Sequence, residues 1–297
     1  MQSVWLRCNL PERSAVESFG DRLAAVFDAR GQLCVGIDPH SYLLEQWGLP
    51  DTADGLRDFG LMVVDATVGR AGIVKPQVAF FERHGSAGYA ALEAVLAAAR
   101  AAGLLIIADV KRGDLGTSVE AYGQAWLTPG GPLEVDAMTI SAFQGVGSIE
   151  SPVRLAYEAG KGLFVLAATS NPESRGIQTA KDDVGRSVAA GIVNDVVRLN
   201  VERASGTHGS VGLVLGATVD FGDYGIELAA LAGPPSTPVL APGFGHQGAR
   251  YSDLASLYGP AAPFAVVSAS RSILQAGPGG IADAVSSQAR EVLECRA

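Results

Sequence analysis

Eight short apolar runs rich in β-formers punctuate the chain, at residues 33–38, 71–77, 104–111, 137–141, 162–169, 211–218, 238–244 and 264–270. Between them lie segments with apolar residues at three- and four-residue spacing, such as 89–102, 149–159, 184–204 and 281–293, and a further helix-like stretch at 14–29 precedes the first run. This alternation is the mark of βα units feeding a parallel sheet. Eight units favour closure into a barrel over an open doubly wound sheet, because closure removes both edges. The open alternative is weakened further by GIDPHSY after the first run, which puts Pro39 and His40 where a dinucleotide-binding turn needs glycines. No Gly/Ser linker divides the chain, and GPPSTP at 233–238 falls where a loop is expected anyway. The expected fold is α/β: a single (β/α)8 TIM barrel with an extra N-terminal helix, one domain over residues 1–297 with the barrel proper at about 33–293.

With 48% hydrophobic and 18% charged residues, the chain can bury a sizeable core. A net charge of −9 without a long basic run argues against nucleic-acid partners and against an anionic membrane surface. Cys8, Cys34 and Cys295 are odd in number and far apart, which fits a reducing compartment rather than a disulfide framework or a CxxC metal site. The start, MQSVWLRCNLPER, lacks the apolar core of a secretory signal, and no later run of about 18 apolar residues is free of Gly, charge or turn residues. A soluble cytoplasmic protein is expected. Only four cations are lysines, Lys75, Lys111, Lys161 and Lys181. A lysine in a sensitive place is then a candidate for ammonium chemistry, since an ammonium can release a proton that a guanidinium keeps.

In a barrel the C-terminal strand ends carry the chemistry, and charged residues cluster there. Asp38 ends LCVGID, Lys75 lies near the end of AGIVKPQ, and Asp109 with Lys111 ends LLIIADVK. Alternation puts Asp109 and Lys111 on one face and Val110 on the other. Salt bridges closing the barrel top are the plain alternative. So many desolvated ions from three neighbouring strand ends, however, are costly without a ligand to justify them. Asp114 in KRGDLGTS could simply cap a helix at 119–127. Later, PGFGHQG supplies glycines, Gly248 among them, whose N–H groups can approach an anion, and SRSIL puts Arg271 just after the eighth run. Those two positions are where barrels commonly bind phosphate, with Gln247 able to donate its amide and Arg271 able to grip two oxygens. His40, His84, His208 and His246 show no metal spacing and read as solvated or satisfied. Phe80 and Phe81 read as packing residues. No GxSxG occurs, and no thiol stands beside an obvious base.

DVKRGDLGTS resembles the signature of the orotidine 5′-phosphate decarboxylase family, Asp-x-Lys-x-x-Asp followed by a hydroxyl residue four places on. GIDPH, KPQVAFFERHGSAG, TSNPES, GAT, PGFGHQG and SRSI follow the family's order from about residue 33 to 275, in a layout similar to its longer, bacterial-type branch. Ser118 stands where the family usually has Thr, TISAFQG replaces a common Asn-Pro-Tyr stretch, and His246 replaces a small residue. The resemblance implies conversion of orotidine 5′-monophosphate to uridine 5′-monophosphate and CO2, the last step of de novo UMP synthesis, without metal or organic cofactor. It implies Lys111, Asp109 and Asp114 as catalytic residues, Asp38 and Lys75 on ribose hydroxyls, Ser141 on the pyrimidine, and Gln247, Gly248 and Arg271 on phosphate. Asp114 and Ser118 would reach into the partner's site of a homodimer. The alternative is another phosphate-binding barrel lyase, either a Schiff-base aldolase or a metal-dependent sugar-phosphate decarboxylase. Two carboxylates within three residues of Lys111 disfavour the first, because a Schiff-base lysine needs a depressed pKa.

Overall fold

The structure, a computed structural model, describes residues 16–204 and 206–295; Cys8 lies outside them. All eight expected runs are strands: β1 Leu33–Ile37, β2 Ile73–Pro76, β3 Leu105–Arg112, β4 Ala137–Ile140, β5 Gly162–Ala168, β6 Val211–Leu215, β7 Val239–Pro242 and β8 Ala265–Ala269. Each pairs in parallel with the next, and β8 closes on β1 through Leu33 opposite Val267 and Cys34 opposite Ser268. Most strands are shorter than their apolar runs. After β6, for instance, Gly216 and Ala217 turn to bond Ala168 and Pro242, so the run continues as loop over the barrel mouth.

Twelve helices are described. α1 (Phe19–Arg30) precedes the barrel, while α2 (Ser41–Gln46) and α3 (Ala53–Thr67) follow β1. α4 (Val78–Glu82) and α5 (Gly85–Ala101) follow β2, α6 (Gly116–Leu127) follows β3, and α7 (Glu150–Ala159) follows β4. α8 (Arg175–Gln178) and α9 (Val188–Arg203) follow β5, α10 (Leu254–Tyr258) follows β7, and α11 (Arg271–Leu274) with α12 (Gly277–Glu294) closes the chain. The expected helix at 14–29 begins at Phe19, because Ser18 is extended and its side chain accepts from Asp21 N–H as an N-cap; residues 14–15 lie outside the described set.

Strand alternation divides the core in two. Cys34, Ile73, Leu105, Ile107, Phe164, Val214, Leu240 and Val266 fill the barrel, whereas Ile106, Ala108, Val110 and their counterparts pack under the helices. α1 seals the barrel floor. Its Phe19 meets Phe164 edge-on at 5.9 Å, and Arg22 ties the helix to Asp136 at 2.5 Å and to the Gly160 carbonyl at 2.8 Å. Gly162 must be glycine for this fit, since a Cβ there would lie 2.3 Å from the Phe19 ring. With the floor plugged, the opposite end is the open one. Among the described residues no helix is long and apolar enough to cross a membrane.

Candidate active site

The mouth holds a cavity of about 380 Å³ lined by Asp38, Lys75, Asp109, Lys111, Gln247 and Arg271, six of the residues singled out from the sequence. Lys75 and Asp109 continue the inward rows of Ile73 and of Leu105 and Ile107, so the side-chain period of two delivers both into the barrel. Lys75 Nζ donates to Asp109 Oδ2 at 2.9 Å, and Lys111 Nζ donates to Asp109 Oδ1 at 2.5 Å. One carboxylate is gripped by two ammonium groups. Lys75 and Asp109 are buried, while the Lys111 side chain is 49% exposed and can meet a ligand.

Burial alone would raise the pKa of Asp109, yet the Lys75 and Lys111 ammonium groups outweigh it and hold the carboxyl well below the usual carboxylate range. Burial would likewise lower Lys75, but Asp109 and then Asp38 outweigh it and raise the ammonium above its ordinary value. Asp38 follows β1 directly, and its Oδ1 is buried without a hydrogen-bond partner among the described residues. A buried acceptor of that kind is costly unless a ligand donates to it.

The segment carrying Lys111 is not a regular strand. The β3–β4 register shifts between Ala108 and Arg112, and Lys111 has φ +46°, the one non-glycine residue with positive φ among those described. Two braces hold it. On the barrel side, Thr139 accepts the N–H groups of Val110 (3.0 Å) and Lys111 (2.9 Å) and donates to Asp109 Oδ1 at 2.9 Å. On the outer side, Arg112 pairs with Glu82 of α4, bonds the Val110 carbonyl and lies over the Tyr122 ring. Thr139 was not singled out from the sequence; the available signal was a lone hydroxyl inside the apolar strand AMTI.

Across the cavity, Gln247 sits in the loop after β7 and Arg271 opens α11 after β8, as expected. The Arg271 guanidinium has no ion pair or hydrogen bond among the described residues, and Gln247 Oε1 accepts only a long bond, 3.5 Å, from Ser170 Oγ. Ser170, from the TSNPES loop, also lines the cavity, and serines 268 and 270 at the end of β8 line it beside Arg271. None of the three was named as a site residue, although hydroxyls alternating along VVSAS could have marked a polar inner face. Gly248 does not line the cavity, and its N–H bonds the Gly245 carbonyl at 3.0 Å in a turn that Gly248 enters at φ +108°. His246 is exposed and lines the mouth.

Three further expected residues stand outside the cavity. Asp114, Ser118 and Ser141 do not line it, and Ser118 is exposed. Asp114 does not cap its helix either: α6 begins earlier than expected, at Gly116, Leu115 occupies the cap position without a side-chain bond, and among the described residues the Asp114 carboxylate accepts only from Leu115 N–H. The remaining histidines are engaged, His40 against Phe80, His84 with Asp51 and His208 with Ser236. Phe81 is fully buried, as its reading as a packing residue requires. Burial pushes the Cys34 thiol up to about 12, which leaves it without nucleophilic character. Among the described residues no group of three His, Cys, Asp or Glu converges as a metal site would.

Similarity to known proteins points one way. The profile of the orotidine 5′-phosphate decarboxylase / HUMPS family matches residues 31–282. An orotidine 5′-phosphate decarboxylase of Salinispora tropica is 48% identical over 282 residues, covering 95% of this chain and 98% of the relative. The crystal structure of a Streptomyces avermitilis chain described as an orotidine 5′-phosphate decarboxylase is 42% identical and superposes with a TM-score of 0.88, covering 97% of this chain and 99% of that one. The Leishmania donovani OMP decarboxylase structure is 28% identical with a TM-score of 0.73, covering 94% and 99%.

Proposed function

Because this chain belongs to the orotidine 5′-phosphate decarboxylase family and converts orotidine 5′-monophosphate to uridine 5′-monophosphate and CO2, we propose a division of labour among the residues at its barrel mouth. Lys111 faces C6, the carbon that loses its carboxyl group. When the C6–carboxyl bond breaks, CO2 leaves and the electron pair stays on C6 in the ring plane, where the π system cannot take it up. A fixed cation there lowers the barrier. At ~4 Å and an effective dielectric near 20, unit charges attract by about 4 kcal/mol, without reorganisation at the moment of reaction. The same ammonium then gives its proton to C6 and is reprotonated from solvent.

Asp109 holds Lys111 in place through the 2.5 Å bond, and Lys75 keeps Asp109 ionised. Asp38, with its unpartnered oxygen, and Lys75 take ribose hydroxyls. Gln247 and Arg271 take the phosphate, and that remote binding favours a closed, water-free site. The observation that carries this reading is the Lys75–Asp109–Lys111 ion cluster at the floor of a cavity whose far side holds an unpaired arginine. Both lysines are ion-paired, the opposite of what imine formation requires. The test is the absorbance decrease of orotidylate under pure protein, run with and without a chelator and with borohydride. Turnover that survives chelation without a trapped adduct is expected; chelator-sensitive activity or a covalent adduct would replace this reading with one of the rival lyases.

We further propose a homodimer with shared sites in the cytoplasm. Asp114 and Ser118 lie outside their own cavity, on a face that exposes Leu115 (58%), Tyr122 (39%) and Phe143 (74%). Gly113 packs on the Ser141 backbone, which brings the loops after β3 and β4 to one side. Exposed apolar side chains around an unused carboxylate fit a surface that pairs with its own copy. Mixing Asp109→Ala and Asp114→Ala subunits is expected to restore activity in the hybrid, and no recovery in verified heterodimers would contradict shared sites.

A further inference from the structure

We propose that Thr139 is a positioning residue for decarboxylation, its hydroxyl holding both the Asp109 carboxylate and the left-handed backbone of Lys111. The inference rests on the roles given above to Asp109 and Lys111. A hydroxyl has one proton and two lone pairs, and Thr139 commits all three to a neighbouring strand. The proton goes to Asp109 Oδ1 at 2.9 Å, and the lone pairs take Val110 N–H at 3.0 Å and Lys111 N–H at 2.9 Å. Thr139 is 1% exposed and borders the cavity beside Asp109 and Lys111. The contact falls where the β3–β4 ladder is interrupted, so the hydroxyl holds backbone donors at a break in the sheet.

This explains how a lysine keeps a backbone conformation that L-residues avoid. Relaxation of the left-handed φ at Lys111 would redirect the backbone after Asp109 and shift Nζ from its 2.5 Å contact with that carboxylate. Displacement of a reacting group by about 1 Å can cost on the order of a hundredfold in rate. The outer brace through Arg112 and Glu82 anchors the following residue and does not touch Asp109, so of the two braces Thr139 is the one that ties the carboxylate to the backbone of the turn. The effect belongs on kcat, since Thr139 contacts neither the phosphate residues nor Asp38.

The experiment compares Thr139→Val, which keeps the volume and removes the hydroxyl, with Thr139→Ser, which keeps the hydroxyl. Rates are normalised to sites that bind uridine 5′-monophosphate, so unfolded protein does not count. For Thr139→Val, kcat should fall roughly ten- to a hundredfold while product affinity stays within about threefold, and Thr139→Ser should restore kcat to within about threefold. Parental kcat in Thr139→Val, or an equal loss in Thr139→Ser, would overturn the proposal. If Thr139→Val does not fold, Thr139→Cys gives the same reading, because a thiol of similar size is a poor donor and acceptor. A crystal structure of the valine or cysteine variant decides the matter separately from activity. Loss of the left-handed φ at Lys111 supports the inference, and its retention together with the Lys111–Asp109 contact refutes it. Absence of orotidylate turnover in the parent chain would instead count against the functional reading.

Discussion

The two sides of the cavity are built on opposite plans. At the β2–β3–β4 side every charged group is already partnered: Asp109 by Lys75, Lys111 and Thr139, and Arg112 by Glu82. At the β7–β8 side the Arg271 guanidinium has no partner among the described residues, Gln247 has one long contact, and the loop between them turns on glycines with positive φ. The first side is preorganised, as a site must be if it is to meet charge that exists only in the transition state. The second leaves the Arg271 guanidinium free to pair with an anion, as the proposed phosphate role requires. One side is fixed by its own contacts, whereas the other leaves its cation open to a ligand.

Removing the central cation should separate the two sides most sharply. Lys111→Ala is expected to lower turnover by on the order of 10³-fold or more while nucleotide binding partly survives, as read by orotidylate absorbance and product calorimetry. Retained turnover would erase the distinction. At the other side, Arg271→Ala should weaken phosphate-bearing ligands by ~10- to 100-fold, the loss of charge-assisted hydrogen bonds, and leave a phosphate-free nucleoside unaffected. Equal losses for both ligands would show that Arg271 is not a phosphate residue. The smallest effect concerns pH. A carboxylate held below its unfolded value, as Asp109 is, contributes stability that is present above about pH 4 and is lost as pH falls toward its folded pKa. The stability gap between the parent and Asp109→Asn should therefore narrow below pH 4 by up to about 1.4 kcal/mol per pH unit, measured by urea unfolding at pH 5 and pH 3. A constant gap would mean that Asp109 gains nothing from its two lysines.

Much of this was legible in the sequence, for reasons that differ between parts. The eight strands were readable because a buried parallel strand is a continuous apolar run, and alternation set Asp109 and Lys111 on one face, where the structure joins them at 2.5 Å. Alternation marks the shared face but not the backbone path that reaches it. Lys111 returns to the Asp109 side through a turn of positive φ rather than a simple pleat, and nothing local in DVKRG announces that turn. Thr139 was invisible because its importance lies in bonds to another strand, and sequence shows a residue type but not its partners. Asp114 and Ser118 show the reverse case: the resemblance marked them, yet in the single chain they stand outside the cavity, the arrangement from which shared sites are proposed above.

The most direct test is a crystal structure of the chain with uridine 5′-monophosphate bound. The account predicts Lys111 Nζ in van der Waals or hydrogen-bonding reach of C6, within roughly 3.5 Å, still tethered to Asp109. An amine turned away from the base, or several ångströms from C6, would contradict it.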